Sequence, residues 1–248
     1  MKWSVEQGLS VRRTGAGPRI VWIHGLGESS VSFEPVLAKL PGYEHVLVDM
    51  PGYGRATWPD APLGLPALAD HLAAWLPADS VVIGHSMGGV LATLIAERTR
   101  VRGVVDIDGN LTRGDCTFSA QAQAYSEDEF VAHGFAAMRA KVYADGATRP
   151  ELRTYHAAMC FASPQVFHRH ACELVEMSSA GTLGAQLAAL AVPKLFVAGV
   201  PDGICAESRA LLDRLGVRWA GIEPAGHWVY LDQLERFVAE VDRFMQSL

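Results

Sequence analysis

The chain has 248 residues, of which 50% are hydrophobic and 19% are charged, and its net charge is −6 at pH 7. This length suffices for one large hydrophobic core and is short for two independent domains. The apolar composition excludes a disordered adaptor. The acidic balance, with no run of five or more like charges, is unfavourable for binding the phosphates of a nucleic acid. We therefore expect a folded domain with no nucleic-acid partner.

The sequence carries no recognisable export or membrane signal. Residues 1–17 lack the apolar core that a signal peptide needs, and no stretch approaches the ~20 apolar residues of a membrane span. Four cysteines without paired spacing indicate reduced, mostly buried thiols: Cys116, Cys160, Cys172 and Cys205. These features predict a cytoplasmic protein without a membrane span.

Short apolar runs alternate with helical patterns along most of the chain. The runs lack polar alternation, which is typical of strands buried on both faces of a parallel sheet. Strands are predicted at residues 20–23, 45–49, 80–83, 103–107, 194–198 and 217–222, with an antiparallel edge strand at 5–11. Helices are predicted at residues 33–40, 65–75, 89–98, 206–215 and 231–245. This order predicts an α/β fold with a doubly wound, mostly parallel sheet.

One long region interrupts the alternation of strands and helices. Residues 111–191 contain no strand pattern, and helical patterns occur at 127–143 and 164–178. Helices inserted between parallel strands commonly cover the carboxyl ends of the strands, where such sheets bind ligands. We therefore expect a core formed by residues 1–110 and 192–248, with residues 111–191 forming a helical cap or lid over it.

The segment Gly84-His85-Ser86-Met87-Gly88 matches G-x-S-x-G and lies between a predicted strand and a predicted helix. A sharp turn from strand to helix strains the backbone and leaves little room, so small residues are needed on both sides of the serine. The amino end of a helix also favours negative charge that develops beside it. This context predicts that Ser86 is a catalytic nucleophile.

A serine hydroxyl needs a base and an orienting acid to become a good nucleophile. His227 follows the last predicted strand and is the predicted base, since the order nucleophile, acid, histidine suits this arrangement. Asp202 follows the strand at 194–198 and is the favoured acid. Asp108 follows the preceding strand in sequence and is the alternative, because a carboxylate at either strand end can reach the same imidazole.

The segment His24-Gly25-Leu26-Gly27 follows the first buried strand. A tetrahedral intermediate carries charge on the former carbonyl oxygen, and backbone amides that already point at this oxygen stabilise it. The amides of Met87 and Leu26 are the predicted donors of this oxyanion hole.

These motifs together resemble the α/β-hydrolase-fold family, in particular its lid-bearing, single-domain members that include many esterases and lactonases. The resemblance also covers Asp49-Met50-Pro51-Gly52-Tyr53-Gly54, which in the family shapes a loop near the active site. It spans nearly the whole chain except residues 111–191. A serine at the nucleophile position argues against a haloalkane dehalogenase, in which this family carries aspartate. The residues before Asp202, Val200 and Pro201, depart from the polar residues common in the family and leave the acid open.

Aromatic and methionine side chains near these motifs are candidates for a substrate pocket: Trp22, Trp228, Phe135, Met138, Tyr155 and Met159. The segment 168–172 contains two histidines and a cysteine but no further donor cluster, so we expect no metal and no cofactor. The expected partner is a small-molecule acyl substrate. The sequence identifies no oligomeric interface.

The predicted function is hydrolysis of a carboxylic ester, lactone or thioester through an acyl-Ser86 intermediate. Two alternatives fit the same residues. One is C–C bond hydrolysis, lyase chemistry or acyl transfer on the same scaffold, and the other is a non-catalytic receptor for a small molecule.

Overall fold

Eight strands form one sheet in the computed structural model, which describes residues 2–248. They are β1 (Lys2–Glu6), β2 (Leu9–Gly15), β3 (Arg19–Ile23), β4 (Glu44–Asp49), β5 (Ser80–His85), β6 (Gly103–Ile107), β7 (Lys194–Asp202) and β8 (Trp219–Gly226). Their order in the sheet is β1-β2-β4-β3-β5-β6-β7-β8. The pairs from β4 to β8 are parallel, and β1 and β2 form an antiparallel edge. The predicted α/β fold with a mostly parallel sheet is confirmed.

The edge of the sheet differs from the single strand predicted at residues 5–11. Gln7 and Gly8 both have positive φ, at 52° and 83°, so the chain reverses there. The result is a hairpin, with Glu6 opposite Leu9. The prediction of one strand was wrong because an apolar pattern does not reveal a turn that contains a single glycine.

Six helices pack around the sheet outside the segment between β6 and β7. They are α1 (Glu34–Leu37), α2 (Leu65–Trp75), α3 (Met87–Arg98), α10 (Ala206–Leu215), α11 (Val229–Asp232) and α12 (Leu234–Gln246). Helix α3 is buried from Met87 to Ile95, as its apolar and small residues on all sides require. Helix α3 follows β5 directly, and this junction positions Ser86.

The chain between β6 and β7 is helical, and no strand occurs in residues 108–193. Its helices are α4 (Phe118–Gln123), α5 (Glu127–Glu129), α6 (Phe135–Asp145), α7 (Glu151–Met159), α8 (Pro164–Ala180) and α9 (Leu183–Ala189). A π-helical turn at Phe130–Gly134 joins α5 to α6 within the predicted helix 127–143. We refer to residues 111–191 as the inserted helices.

A buried hydrogen bond joins the inserted helices to the core. The hydroxyl of Tyr53 donates to Nδ1 of His170 at 2.8 Å, and Nε2 of His170 donates to the carbonyl of Leu63 at 2.9 Å. Burial lowers the pKa of His170 to about 4, so the ring is neutral and suits this donor–acceptor pattern. Helix α8 is thereby fixed to the loop after β4. Among the described residues, no helix combines the length and apolar character needed to cross a membrane.

Candidate active site

The chain turns from β5 into α3 at Ser86. This residue has φ 55° and ψ −121°, a conformation that costs an L-residue about 1–3 kcal/mol. Its amide donates to the carbonyl of Ile107 at 2.8 Å, which holds the turn against β6. A Cβ on Gly84 would collide with the carbonyl of Gly88, and a Cβ on Gly88 would collide with the backbone of Ile23. The G-x-S-x-G motif therefore lies in the tight strand–turn–helix context that the sequence predicts.

A small cavity lies beside Ser86 at the carboxyl ends of the strands. Its volume for a water-sized molecule is about 20 Å³. Its lining includes polar residues, Asn110, Asp115, Thr117 and Ser119, and largely apolar ones, Leu26, Phe118, Tyr155, Leu174 and Trp228. A larger groove of about 670 Å³ adjoins it and shares Thr117, Phe118, His227 and Trp228 with it. The inserted helices supply side chains to both spaces.

His227 follows β8 and lines the same cavity as Ser86. Its Nδ1 lies 3.2 Å from the carbonyl oxygen of Gly203, so Nδ1 carries the hydrogen and donates it. Burial, together with the neighbouring His85, lowers the pKa of His227 to about 4. Nε2 is thus free of hydrogen at neutral pH, as a general base requires. Within residues 2–248, no hydrogen bond joins Ser86 to His227.

The two candidate acids lie in different environments. Asp202 ends β7 opposite Gly226 and is exposed, and no hydrogen bond links it to His227 in the described part of the chain. Asp108 is fully buried, and its Oδ1 accepts the amide of Gly199 at 2.9 Å. Its Oδ2 has no partner among residues 2–248. Burial raises the pKa of Asp108 well above its usual range.

Asp108 also lies against the residue that faces the histidine. A Cβ on Gly203 would collide with Oδ1 of Asp108, and the carbonyl of Gly203 is the one that accepts from His227. Asp108 itself has a positive φ of 47°, so its backbone is strained like that of Ser86. Gly203 thus contacts both Asp108 and His227.

The amides of Leu26 and Met87 are both free of backbone acceptors among the turn and loop hydrogen bonds of residues 2–248. The carbonyl of Gly25 accepts from Nδ1 of His24 at 2.9 Å and from the amide of Glu28 at 3.2 Å. A trans peptide points its N–H opposite to its carbonyl. The two donors on the carbonyl of Gly25 therefore fix the direction of the Leu26 N–H as well.

The loop after β4 supports this arrangement through Asp49 and His24. Asp49 accepts the amide of Ser30 at 2.7 Å and that of Arg55 at 2.9 Å. Nε2 of His24 accepts the amide of Met50 at 3.2 Å. Burial lowers the pKa of His24, which keeps the ring neutral so that one nitrogen accepts while the other donates to Gly25. The motif at residues 49–54 is thereby held against the loop formed by residues 24–27.

Glu28 was not predicted from the sequence, yet its buried carboxylate contacts three parts of the site. Oε2 accepts the amide of Gly25 at 2.8 Å and lies 3.0 Å from Nδ1 of His85. Oε1 accepts the indole N–H of Trp228 at 2.5 Å. Burial alone would raise the pKa of Glu28, but the charge of His85 and the hydrogen bonds from His85, Gly25 and Trp228 together outweigh it and lower the pKa to about 2. Glu28 is therefore a carboxylate at neutral pH.

The structure separates the six predicted pocket residues into two groups. Tyr155 and Trp228 line the cavity, and Met138 lines the adjoining groove. Trp22 lies in the core against Phe33, and its indole donates to His45. Phe135 and Met159 are buried among the inserted helices and line neither space. These last three side chains are packed in the interior, as is common for an apolar side chain near a motif.

The polar residues of segment 168–172 are used within the structure. Nε2 of His168 donates to the carbonyl of Tyr125 at 2.9 Å, and His170 contacts Tyr53 and Leu63 as described above. Across residues 2–248, no group of three or more histidine, cysteine, aspartate or glutamate side chains is arranged to hold a metal ion.

Residues 20–240 match the model of the alpha/beta hydrolase family. The chain therefore belongs to the alpha/beta hydrolase family.

Three known proteins illustrate its relationships. The pimeloyl-[acyl-carrier protein] methyl ester esterase of Stenotrophomonas maltophilia is 27% identical over 254 aligned residues, covering 97% of each chain. The protein of the same name from Shewanella woodyi is 35% identical over 105 residues, covering 42% of this chain and only 40% of that relative. Among solved structures, a thermophilic esterase from Thermogutta terrifontis has a TM-score of 0.79 at 20% identity, covering 96% of this chain and 93% of that one. The last likeness shows a shared fold.

Proposed function

We propose that this protein is a carboxylic ester hydrolase that works through an acyl-Ser86 intermediate, with His227 as its base. One observation carries the proposal: a serine in a strained turn lines the same small cavity as a neutral histidine and Leu26, whose amide has no backbone acceptor among the turn and loop hydrogen bonds of residues 2–248. Binding alone needs no strained serine. The names of the esterases to which the chain is similar support the same reaction class.

In the proposed reaction, Nε2 of His227 takes the proton of Ser86 as Oγ attacks the ester carbonyl. The amides of Leu26 and Met87 stabilise the oxyanion of the tetrahedral intermediate. The imidazolium then gives its proton to the leaving alkoxide, which departs as an alcohol. His227 next activates a water molecule, which releases the acid product and restores Ser86.

Asp108 is the acid that the contacts favour in this scheme, although chain position favours Asp202. A group that stabilises the imidazolium needs a buried, unsatisfied oxygen close to Nδ1. Asp108 has a buried oxygen without a partner among residues 2–248 and lies against Gly203, whose carbonyl accepts from Nδ1 of His227, whereas Asp202 is exposed. A local shift of the Gly203 carbonyl would bring the Asp108 carboxylate and His227 together.

The cavity indicates the kind of ester that fits. Asn110 lines it, and Nδ2 of Asn110 donates to the carbonyl of Asp115 at 3.1 Å, which fixes the orientation of the amide. Oδ1 of Asn110 is buried without a partner in residues 2–248, so a substrate hydroxyl or N–H would satisfy it. We propose a compact ester or lactone that carries such a donor beside its acyl group.

The adjoining groove disfavours an anionic substrate. Its two cations are paired, Lys141 with Asp145 at 2.7 Å and Arg149 with Glu151 at 2.8 Å. Asp202 and Asp232 also line the groove, so its net charge is negative. Because Phe118 and Tyr155 close the cavity from the inserted helices, we propose that these helices act as a lid that must open for entry.

The decisive experiment compares the wild-type protein with Ser86→Ala on p-nitrophenyl acetate. We expect the variant to lose at least ~10³-fold in kcat while its circular dichroism spectrum and melting temperature stay near wild type. A fluorophosphonate probe should label the wild-type protein at Ser86 and leave the variant unlabelled. Full turnover by Ser86→Ala, or a wild-type protein that neither hydrolyses esters nor reacts with the probe, would refute the proposal.

A further inference from the structure

Glu28 connects three loops that are far apart in sequence. Its carboxylate binds the Gly25 amide in the oxyanion loop, His85 next to the nucleophile, and the indole of Trp228 next to the base. Glu28 is 2% exposed and His85 is 1% exposed. A buried charge of this kind is retained only with partners that satisfy it, and all of its partners here adjoin residues of the proposed reaction.

His85 extends the connection to the base. Its Nε2 lies 2.8 Å from the backbone carbonyl of His227, and a carbonyl oxygen can only accept. Its Nδ1 faces the Glu28 carboxylate, which also only accepts. Both ring nitrogens therefore donate, an arrangement that the imidazolium satisfies with one hydrogen on each. The ion pair of His85 and Glu28 thus holds the main chain of His227 beside Ser86.

The geometry also connects Glu28 to the oxyanion hole. Its own amide donates to the carbonyl of Gly25 while its carboxylate accepts the amide of Gly25. The turn is closed from both sides, and the N–H of Leu26 is fixed by the planarity of its peptide. Movement of the Glu28 side chain would leave the Gly25 amide without its acceptor and loosen one of the two sides of this turn.

We infer that Glu28 is a positioning residue for ester hydrolysis, since its buried carboxylate sets the oxyanion loop, the nucleophile turn and the histidine loop at fixed positions relative to one another. The inference rests on the proposed function. It assigns to Glu28 no contact with the reacting atoms. Its effect is on the transition state, in which the amide of Leu26 and Nε2 of His227 must both be in place.

The test is Glu28→Gln, which keeps the shape of the side chain but replaces one acceptor oxygen with an NH₂ group. This group is a donor, so it cannot accept the N–H groups that the carboxylate binds. We expect kcat on p-nitrophenyl acetate to fall about 10²–10³-fold, the loss typical of a misplaced oxyanion donor, with KM changed less than about threefold. The concentration of active enzyme is measured by titrating Ser86 with a fluorophosphonate, so unfolded molecules do not contribute to the concentration from which kcat is calculated. A trifluoromethyl ketone that forms a tetrahedral adduct should lose affinity in parallel with kcat.

Two further variants complete the design. Glu28→Asp keeps the charge and shortens the side chain, so its kcat should lie between those of wild type and Glu28→Gln. This variant serves as the test if Glu28→Gln folds poorly. Glu235→Gln removes an exposed carboxylate paired with Lys39 and should match wild type. Unchanged kcat per titrated site in both Glu28 variants, or a rise in KM alone, would overturn the inference. Wild-type hydrolysis that depends on Ser86 would still uphold the proposed function in that case.

Discussion

His227 donates from Nδ1 to the carbonyl of Gly203 at 3.2 Å. A backbone carbonyl therefore selects the tautomer that leaves Nε2 free to accept a proton. Asp108, the alternative acid of the sequence analysis, is in contact with Gly203 and so lies next to the residue that accepts from His227. A single acid usually both orients the histidine ring and stabilises its charge. Here the carbonyl of Gly203 orients the ring of His227, and under the proposed mechanism Asp108 stabilises the charge.

The identity of the acid can be decided with two matched variants. Asp108→Asn should lower kcat about 10³–10⁴-fold, because the amide cannot balance the imidazolium. It should fold well, because the asparagine amide has nearly the size and shape of the carboxyl group and its oxygen can still accept the amide of Gly199. Asp202→Asn, at an exposed position, should change kcat less than about tenfold. Steady-state kinetics at pH 8 would show the contrast, and the opposite ranking would restore Asp202 as the acid.

The pH dependence of kcat/KM reports the base of the free enzyme. Because the pKa of His227 is lowered to about 4, the base stays neutral well below pH 6.5. Activity should hold as the pH falls from 7 to 5 and should decline only on approach to 4. A decline centred at pH 6.5 or higher would contradict this.

A control is needed because the same shift affects folding. The unfolded chain binds a proton on this histidine between about pH 4 and 6.5, while the folded chain does not. Stability therefore decreases as the pH falls through that window. Circular dichroism at each pH separates unfolding from titration of the base.

Asn110 should control selectivity for a substrate that carries a hydrogen-bond donor. We expect wild type to prefer p-nitrophenyl 3-hydroxybutyrate over p-nitrophenyl butyrate by about tenfold or more in kcat/KM, because the hydroxyl satisfies Oδ1. Asn110→Ala should reduce this preference to near unity. If both enzymes show the same ratio for the two esters, the assignment of Oδ1 to the substrate is wrong.

The tight turn at the nucleophile makes a prediction for stability. Gly84→Ala places a methyl group against the backbone of Gly88 at the start of α3, where neither side can yield. We expect a loss of about 2–3 kcal/mol in the free energy of unfolding.

Gly181→Ala is the contrasting control, since its φ of 71° is positive and no atom lies within 4 Å of the added carbon, so it introduces backbone strain without a collision. Its loss should be about 1 kcal/mol, from backbone strain alone. Urea denaturation measures both. Equal losses would mean that the turn relaxes around the methyl group.

The sequence predicted elements whose signal is local. Helices at residues 65–75 and 206–215 were placed at the observed bounds, because both have apolar residues at helical spacing. The hairpin at Gln7 and Gly8 was missed, because a non-glycine residue with positive φ leaves no clear pattern. The π-helical turn at Phe130–Gly134 was missed for a similar reason, since its residues suit an ordinary helix.

At the site, motifs located Ser86 and His227 in one cavity but not the polar side chains between them. Glu28 bonds to Trp228 across 200 residues of chain, and no spacing rule connects two such positions. Asn110 likewise stands out because its Oδ1 is buried without a hydrogen-bond donor in residues 2–248, which only a three-dimensional structure reveals. A glutamate directly after the oxyanion motif, with a histidine before the nucleophile, is a signal that can be sought in related sequences.

The bond between Glu28 and Trp228 also has a consequence for the order in which the protein is synthesised. The nucleophile turn lies in the first half of the chain, whereas His227 and Trp228 follow the last strand. Under the proposed mechanism, a nascent chain that has not reached β8 holds Ser86 without His227, and Glu28 without the indole donor of Trp228. We therefore expect hydrolytic competence to arise late, when the carboxyl-terminal segment docks.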